Sequence, residues 1–145
     1  MKTLIIDGNN LLHRAYWIST HTKSDLTTEN SFLHIHLFLT SIKSYVKSYC
    51  PDQIFCCWDE KKEKKQNIRK GLDENYKANR NKEYAKEVYS KINDIKEVLD
   101  SLGIKNIFPY QYEADDAMFY LAKTLPGHKM IVTVDKDLYL SLIHI

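Results

Sequence analysis

Four short apolar runs punctuate the chain: "TLII" (3–6), "QIFCCW" (53–58), "IKNIF" (104–108) and "MIVTV" (130–134). Each is nearly continuous in apolar character and rich in β-branched or aromatic residues. Strands covered on both faces of a parallel sheet read this way, whereas strands with one wet face alternate. Between the runs, apolar positions switch to helical spacing. Segment 29–49 sets Phe32, Ile35, Leu39, Ile42 and Val46 on one stripe. Segment 83–102 does the same with Val88, Ile92, Ile95, Val98, Leu99 and Leu102, and Gly103 follows as a left-handed stop. A third stripe, Ala114, Ala117, Met118, Leu121, Ala122 and Leu125, runs through "YEADDAMFYLAKTL" (112–125). The order β-α-β-α-β-α-β predicts an α/β fold, a largely parallel sheet with helices on both faces and right-handed crossovers. No internal repeat is visible. Segment 61–82 lacks an apolar period and reads as a solvated, mobile excursion.

Acidic residues sit where this scheme ends its strands. Asp7 follows the first run and Asp59 the second. Glu113, Asp115 and Asp116 follow the third after a short loop, and Asp135 and Asp137 follow the fourth. Three acids in one helical turn have a plain explanation, since negative charge is favoured at a helix N-terminus by about 0.3–1 kcal/mol each. That accounts for one or two of them better than for three. Ligands of open parallel sheets bind at the carboxyl ends of the strands, so seven acids from four places should converge on one edge. A merely solvated acidic face gives no reason for carboxylates at every strand end. A cluster of bound cations does.

Composition narrows the classes. The chain has 145 residues, 43% of them hydrophobic, enough for one domain with a real core. No apolar run is long enough to span a bilayer. The start, "MKTLIIDGNN", is a poor signal peptide, so a cytoplasmic location is expected. Cys50, Cys56 and Cys57 form no CxxC pair. Buried thiols in a reducing compartment are expected rather than disulfides or zinc. The net charge of +2 hides an asymmetry: residues 61–82 carry nine Lys/Arg against three Asp/Glu, which leaves the remainder acidic. An acidic body suits cations and a basic segment suits polyanions.

The chemistry follows from the donor set. His34 and His36 are two apart on an expected helix and share no face, so no histidine pair offers itself to a metal. An all-carboxylate site selects Mg²⁺ or Mn²⁺, and such clusters hold two ions about 3.5–4 Å apart for in-line attack at phosphorus. The chain has no P-loop, G-x-G-x-x-G or G-x-S-x-G motif. In "NYKANR" (75–80), Lys77 and Arg80 lie three apart beside Tyr76. Basic groups there would neutralise phosphates, and the ring would stack on an unpaired base.

Five motifs together, "IIDGNNLLHRAYW", "CWDEKKEKKQNIRK", "NYKANR", "YEADDAMFYLA" and "TVDKDLYL", resemble the N-terminal domain of the 5′-nuclease family. That family comprises the 5′→3′ exonuclease domain of bacterial DNA polymerase I and the phage flap endonucleases. The motifs run in the family's order over nearly the whole chain, 1–145. The resemblance implies a PIN-like or resolvase-like domain that hydrolyses DNA phosphodiesters with two Mg²⁺ or Mn²⁺ ions, as in primer removal and Okazaki-fragment processing. It implies Asp7, Asp59, Glu113, Asp115, Asp116, Asp135 and Asp137 around the metals. It assigns Lys77 and Arg80 to the reacting phosphate and Tyr76 to a base beside the scissile bond. Arg14, Lys61, Lys62, Lys64, Lys65, Arg69 and Lys70 would touch the DNA backbone. The expected partner is DNA with a 5′ flap or 5′ end, or an RNA primer, met by a monomer with no membrane.

Two departures stand out. The family commonly has glycine after the second-strand Asp, where this chain has Glu60. The family also continues into further acids and a helix-hairpin-helix-like DNA clamp. The chain stops eight residues after Asp137, which suggests a C-terminally incomplete domain whose last residues, "SLIHI", do not match the expected continuation. Two alternatives stay open: a PIN- or NYN-type ribonuclease, which does not require "YKANR", and a nucleic-acid-binding remnant without catalysis.

Overall fold

The computed structural model describes residues 1–21, 32–59 and 88–134. Four strands, β1 (Lys2–Asp7), β2 (Gln53–Cys57), β3 (Lys105–Ile107) and β4 (His128–Val132), form one sheet in the order β3-β2-β1-β4. Every pairing is parallel: Ile5 sits opposite Phe55 and Ile131, and Cys57 opposite Ile107. Among the described residues, four helices accompany the strands: α1 (Gly8–His21), α2 (Leu33–Tyr49), α3 (Ile92–Ser101) and α4 (Ala114–Thr124). A 3-10 turn, Tyr89–Lys91, leads into α3.

The sheet is covered on both sides, as its continuous apolar runs require. On one face Leu4, Ile6, Cys56 and Trp58 pack with Leu12 of α1, Phe38 and Ile42 of α2, and Ile95 and Leu99 of α3. On the other, Ile5 and Cys57 meet Ala114, Ala117, Met118 and Ala122 of α4. Successive strand residues point to opposite faces, which is why neighbours such as Ile5 and Ile6 belong to different cores. The small side chains of α4 let that helix lie close to the strands.

The sequence expectation lacks α1. Its buried positions Leu11, Leu12, Ala15, Tyr16 and Ser19 do follow a helical stripe, but it opens on Gly8-Asn9-Asn10, residues typical of turns. Two stripes also shift. In α2 the buried line is His34, Phe38 and Ile42, while Phe32 is exposed just ahead of the helix. Val98 of α3 and Leu102 just after it face solvent, while Ile92, Ile95 and Leu99 are the buried residues of the helix. Gly103 ends this segment at φ +76 as expected. The part of segment 83–102 before Val88 lies outside the described residues, as does segment 61–82.

All three cysteines are free. Cys56 and Cys57 are buried, and burial pushes the Cys57 thiol up to about 12 and the Cys56 thiol well above its ordinary range, so neither is reactive. Cys50 departs from the buried expectation: it is exposed at the C-cap of α2, in a left-handed conformation with φ 49. Among the described residues no helix is long and apolar enough to cross a membrane.

Gly8 is required by packing rather than by backbone freedom. A Cβ placed there would lie 2.7 Å from Trp58 Cδ2 and 2.9 Å from Cys56 Sγ. Trp58 and Cys56 are both fully buried. Gly8→Ala should therefore destabilise the chain by about 1–3 kcal/mol, the usual cost of overpacking a core. Urea unfolding checks it. An unchanged midpoint would mean that the indole can slide aside.

Candidate active site

The carboxyl ends of β1 and β2 deliver the first two acids. Asp7 closes β1 and also caps α1, its Oδ1 accepting the Asn10 N–H at 3.0 Å. Its Oδ2 accepts the Thr133 hydroxyl at 3.2 Å, just beyond β4. The side chain is 9% exposed. Burial pushes its carboxyl up to about 6, the two hydrogen bonds oppose that rise, and the charges of Asp59 and Asp115 add to it.

Asp59 stands two residues beyond β2. Its Oδ1 accepts the Ala114 N–H at 2.9 Å, so it also satisfies the first residue of α4. Its Oδ2 accepts Asn9 Nδ2 at 3.1 Å, and its own N–H donates to Asn9 Oδ1 at 3.1 Å. The same Asn9 Nδ2 donates to the Tyr89 hydroxyl at 3.0 Å, and that hydroxyl lies 2.8 Å from His13 Nε2.

The acids of α4 divide their tasks. Glu113 is buried and extended at the N-cap, and its N–H donates to Asp116 Oδ2 at 3.0 Å within a capping box. Asp115 Oδ1 accepts the Asp116 N–H at 2.9 Å. Helix capping thus accounts for Asp116 and Glu113 better than bare charge–dipole attraction does. Asp115 is half-buried, and its charge helps to raise the Asp7 carboxyl.

Five of the seven expected acids are described, and they gather at one end of the sheet. Asp135 and Asp137 lie outside the described residues, as do Tyr76, Lys77, Arg80, Lys61, Lys62, Lys64, Lys65, Arg69 and Lys70. Arg14 is exposed on α1 and borders a cavity of about 40 Å³ with Asn10, Tyr45 and Thr133. Asn10 and Thr133 are the two residues that bond Asp7. His34 is buried edge-on against Tyr16, and His36 is exposed, in keeping with packing and surface roles.

Sequence reasoning missed Asn9, Tyr89, His13 and Thr133. The signal for Asn9 was the "DGNN" at a strand end. Tyr89 and His13 carried none, because their contact joins residues 76 apart. Among the described residues, no three His, Cys, Asp or Glu side chains stand close enough to hold one ion. The donor chemistry still suits a hard divalent cation, being all carboxylate oxygen. The burial of Asp7 beside two further carboxylates leaves a concentration of negative charge that a cation would relieve.

A family model described as "5'-3' exonuclease, N-terminal resolvase-like domain" matches residues 2–144. The chain belongs to this family. Its curated relatives include a 5′-3′ exonuclease of Mycoplasmopsis pulmonis, 29% identical over 94% of the chain and 43% of that protein. A 5′-3′ exonuclease of Bacillus subtilis is 30% identical over 94% of the chain and 46% of its own length. The chain thus spans less than half the length of these exonucleases. Solved structures share the fold of this domain. A T5 5′-exonuclease bound to divalent metal ions (zinc) superposes with a TM-score of 0.65 at 20% identity, covering 98% of the chain and 52% of that protein. A T5 flap endonuclease in a pseudo-enzyme–product complex with DNA and metal ions gives 0.63 at 19% identity, over 95% and 50%. The PIN-like 5′-nuclease fold expected from the sequence is therefore the fold of this domain.

Proposed function

We propose that the chain is the catalytic N-terminal domain of a divalent-metal-dependent 5′→3′ exonuclease or 5′-flap endonuclease acting on DNA. The observation that carries this reading is the gathering of Asp7, Asp59, Glu113, Asp115 and Asp116 at the carboxyl edge of a parallel sheet in a member of the 5′-3′ exonuclease family. Asp7, Asp59 and Asp115 would each contribute oxygen ligands to Mg²⁺ or Mn²⁺, in a set for two ions that needs Asp135 and Asp137 to complete it. Glu113 and Asp116 would cap α4 and contribute to the same field. Bound cations of this kind supply an activated water and stabilise charge on the leaving oxygen.

The remaining residues act on the nucleic acid. Lys77 and Arg80 would bind the reacting phosphate, and Tyr76 would stack on the neighbouring base. Arg14 and the basic residues Lys61, Lys62, Lys64, Lys65, Arg69 and Lys70 would hold the backbone, with affinity that falls steeply with salt. An RNA primer would present the same phosphates. The chain would act as a monomer in the cytoplasm.

The test is single-turnover cleavage of a 5′-flap DNA in Mg²⁺, with chelator and an RNA substrate as comparisons. Cleavage of the flap that chelator abolishes supports the reading. DNA binding that persists in chelator with no Mg²⁺-dependent cleavage would make the chain a binding module, and cleavage of RNA alone would make it a ribonuclease. Lys77→Ala should slow flap cleavage by roughly a hundredfold, the scale of losing one oriented stabilising group. Affinity should change little, because other phosphate contacts remain. Wild-type rates in this variant would remove Lys77 from the chemistry. If the chain alone is inactive, the comparison belongs in a protein extended by a family C-terminal region.

A further inference from the structure

We infer that Asn9, Tyr89 and His13 form a strut that fixes the Asp59 carboxylate for cation binding, which makes them positioning residues of the site. The inference rests on the reading of Asp59 as a cation ligand. One amide does most of the holding. Asn9 Oδ1 accepts the Asp59 N–H at 3.1 Å while its Nδ2 donates to Asp59 Oδ2 at 3.1 Å. Backbone and side chain of Asp59 are therefore gripped by the same group.

Asn9 is itself braced. Its Nδ2 also meets the Tyr89 hydroxyl at 3.0 Å. An amide nitrogen only donates, so the hydroxyl oxygen accepts from Asn9, and the same hydroxyl bonds His13 Nε2, 2.8 Å away, in the direction the histidine tautomer sets. The His13 ring also meets the Tyr89 ring edge-on, with centroids 5.3 Å apart at 88°. Asn9 and His13 are four apart on α1 and share a face, while Tyr89 comes from the turn before α3. The strut thus ties two helical elements to the end of β2.

Its contribution to folding should be small. All of these hydrogen bonds are only partly buried, and such bonds exchange readily with water. Its contribution to orientation is larger. Asp59 Oδ1 accepts Ala114 and Oδ2 accepts Asn9. A carboxylate has about four acceptor positions, so two remain for a cation. Without Asn9 the side chain would pivot about its Ala114 bond and those positions would lose their aim. Partners that orient metal ligands are worth about 10–100-fold in metal affinity.

Mn²⁺ titration calorimetry on the full 145-residue chain tests this, together with amide hydrogen exchange at Asp59 and Ala114 without metal. Asn9→Ala should weaken Mn²⁺ by tenfold or more and Tyr89→Phe by about tenfold, with faster exchange at Asp59 in both. His13→Gln keeps a group that can bond the Tyr89 hydroxyl in either direction and should stay within about twofold of wild type. Unchanged Mn²⁺ affinity in Asn9→Ala and Tyr89→Phe, when wild type binds, would overturn the strut, whether or not exchange changes. If wild type does not bind Mn²⁺ while exchange at Asp59 rises in both variants, the cation reading falls and the strut stands as a device that only orders Asp59. If neither affinity nor exchange responds, the strut itself is overturned.

Discussion

Replacing Asp7 by asparagine should stabilise the chain in chelator at pH 7.5, although the residue sits at the centre of the site. The cause is the carboxyl's pKa of about 6, raised from 3.8 chiefly by burial. Below pH 3.8 the carboxyl is protonated whether the chain is folded or not, and no cost arises. Between about 4 and 6 the unfolded chain ionises first. Above 6 both states are charged, and the native state carries the full cost of a buried carboxylate. At about 1.4 kcal/mol per pH unit this amounts to roughly 3 kcal/mol. Asparagine removes the charge and keeps an oxygen for the Asn10 N–H, and it is an equally good N-cap. Its amide nitrogen can donate to the Thr133 hydroxyl. The melting temperature should rise by roughly 5–10 °C at pH 7.5, and the gain should vanish near pH 4. Mg²⁺ should narrow the difference by binding the native wild type. A variant that melts lower than wild type at pH 7.5 would show that the carboxylate has a compensating partner. The same variant should lose cleavage, the usual opposition of stability and activity at a charged site.

Trp58→Ala should cost about 3–5 kcal/mol, the range for deleting a large buried aromatic side chain. Trp58 is fully buried, stacks on Phe38 at 5.9 Å and 28°, and donates its indole N–H to Asn106 Oδ1 at 2.7 Å. Asn106 in turn donates to Asp100 Oδ1 and to the Lys96 carbonyl, so the indole links β2 to α3. Domains of this size are commonly stable by only about 5–15 kcal/mol. The loss should be plain in urea unfolding, and a cost below about 1 kcal/mol would mean that the neighbours collapse into the space. Because Gly8 abuts the same indole, combining Gly8→Ala with Trp58→Ala should cost less than the sum of the two.

What the sequence revealed depended on whether a feature was local. β1 and β2 were legible because burial writes itself as an uninterrupted apolar run, whereas the edge strands β3 and β4 are only half-buried, and β4 begins two residues ahead of the apolar run that announced it. The gathering of the five described acids at one end of the sheet was legible from that scheme, and the helical stop at Gly103 from its place after a stripe. Helix α1 was hidden by its own first residues: Gly8 is there for Trp58, and Asn9 and Asn10 serve Asp7, Asp59 and Tyr89. The link from Asp59 to the N–H of Ala114 joins residues 55 apart and has no periodic signature. Nor has the edge-on pair of His13 and Tyr89. The exposure of Val98 and Leu102 shows the opposite limit, since an apolar stripe says which side of a helix is oily but not how far the sheet extends beneath it.

The strand order carries a consequence for how the chain is made. β1 precedes the other described strands in the chain and lies inside the sheet, where Lys2 pairs with His128. Its second neighbour therefore does not exist until about 126 residues later, roughly 6–25 s at ordinary rates of translation. Through that interval the edge of β1 that will receive β4 waits for its native partner on a growing nascent chain. Pairings of such long sequence separation also form slowly once available. Asp7 at the end of β1 and Thr133 just beyond β4, which bond each other, are brought together only after this interval.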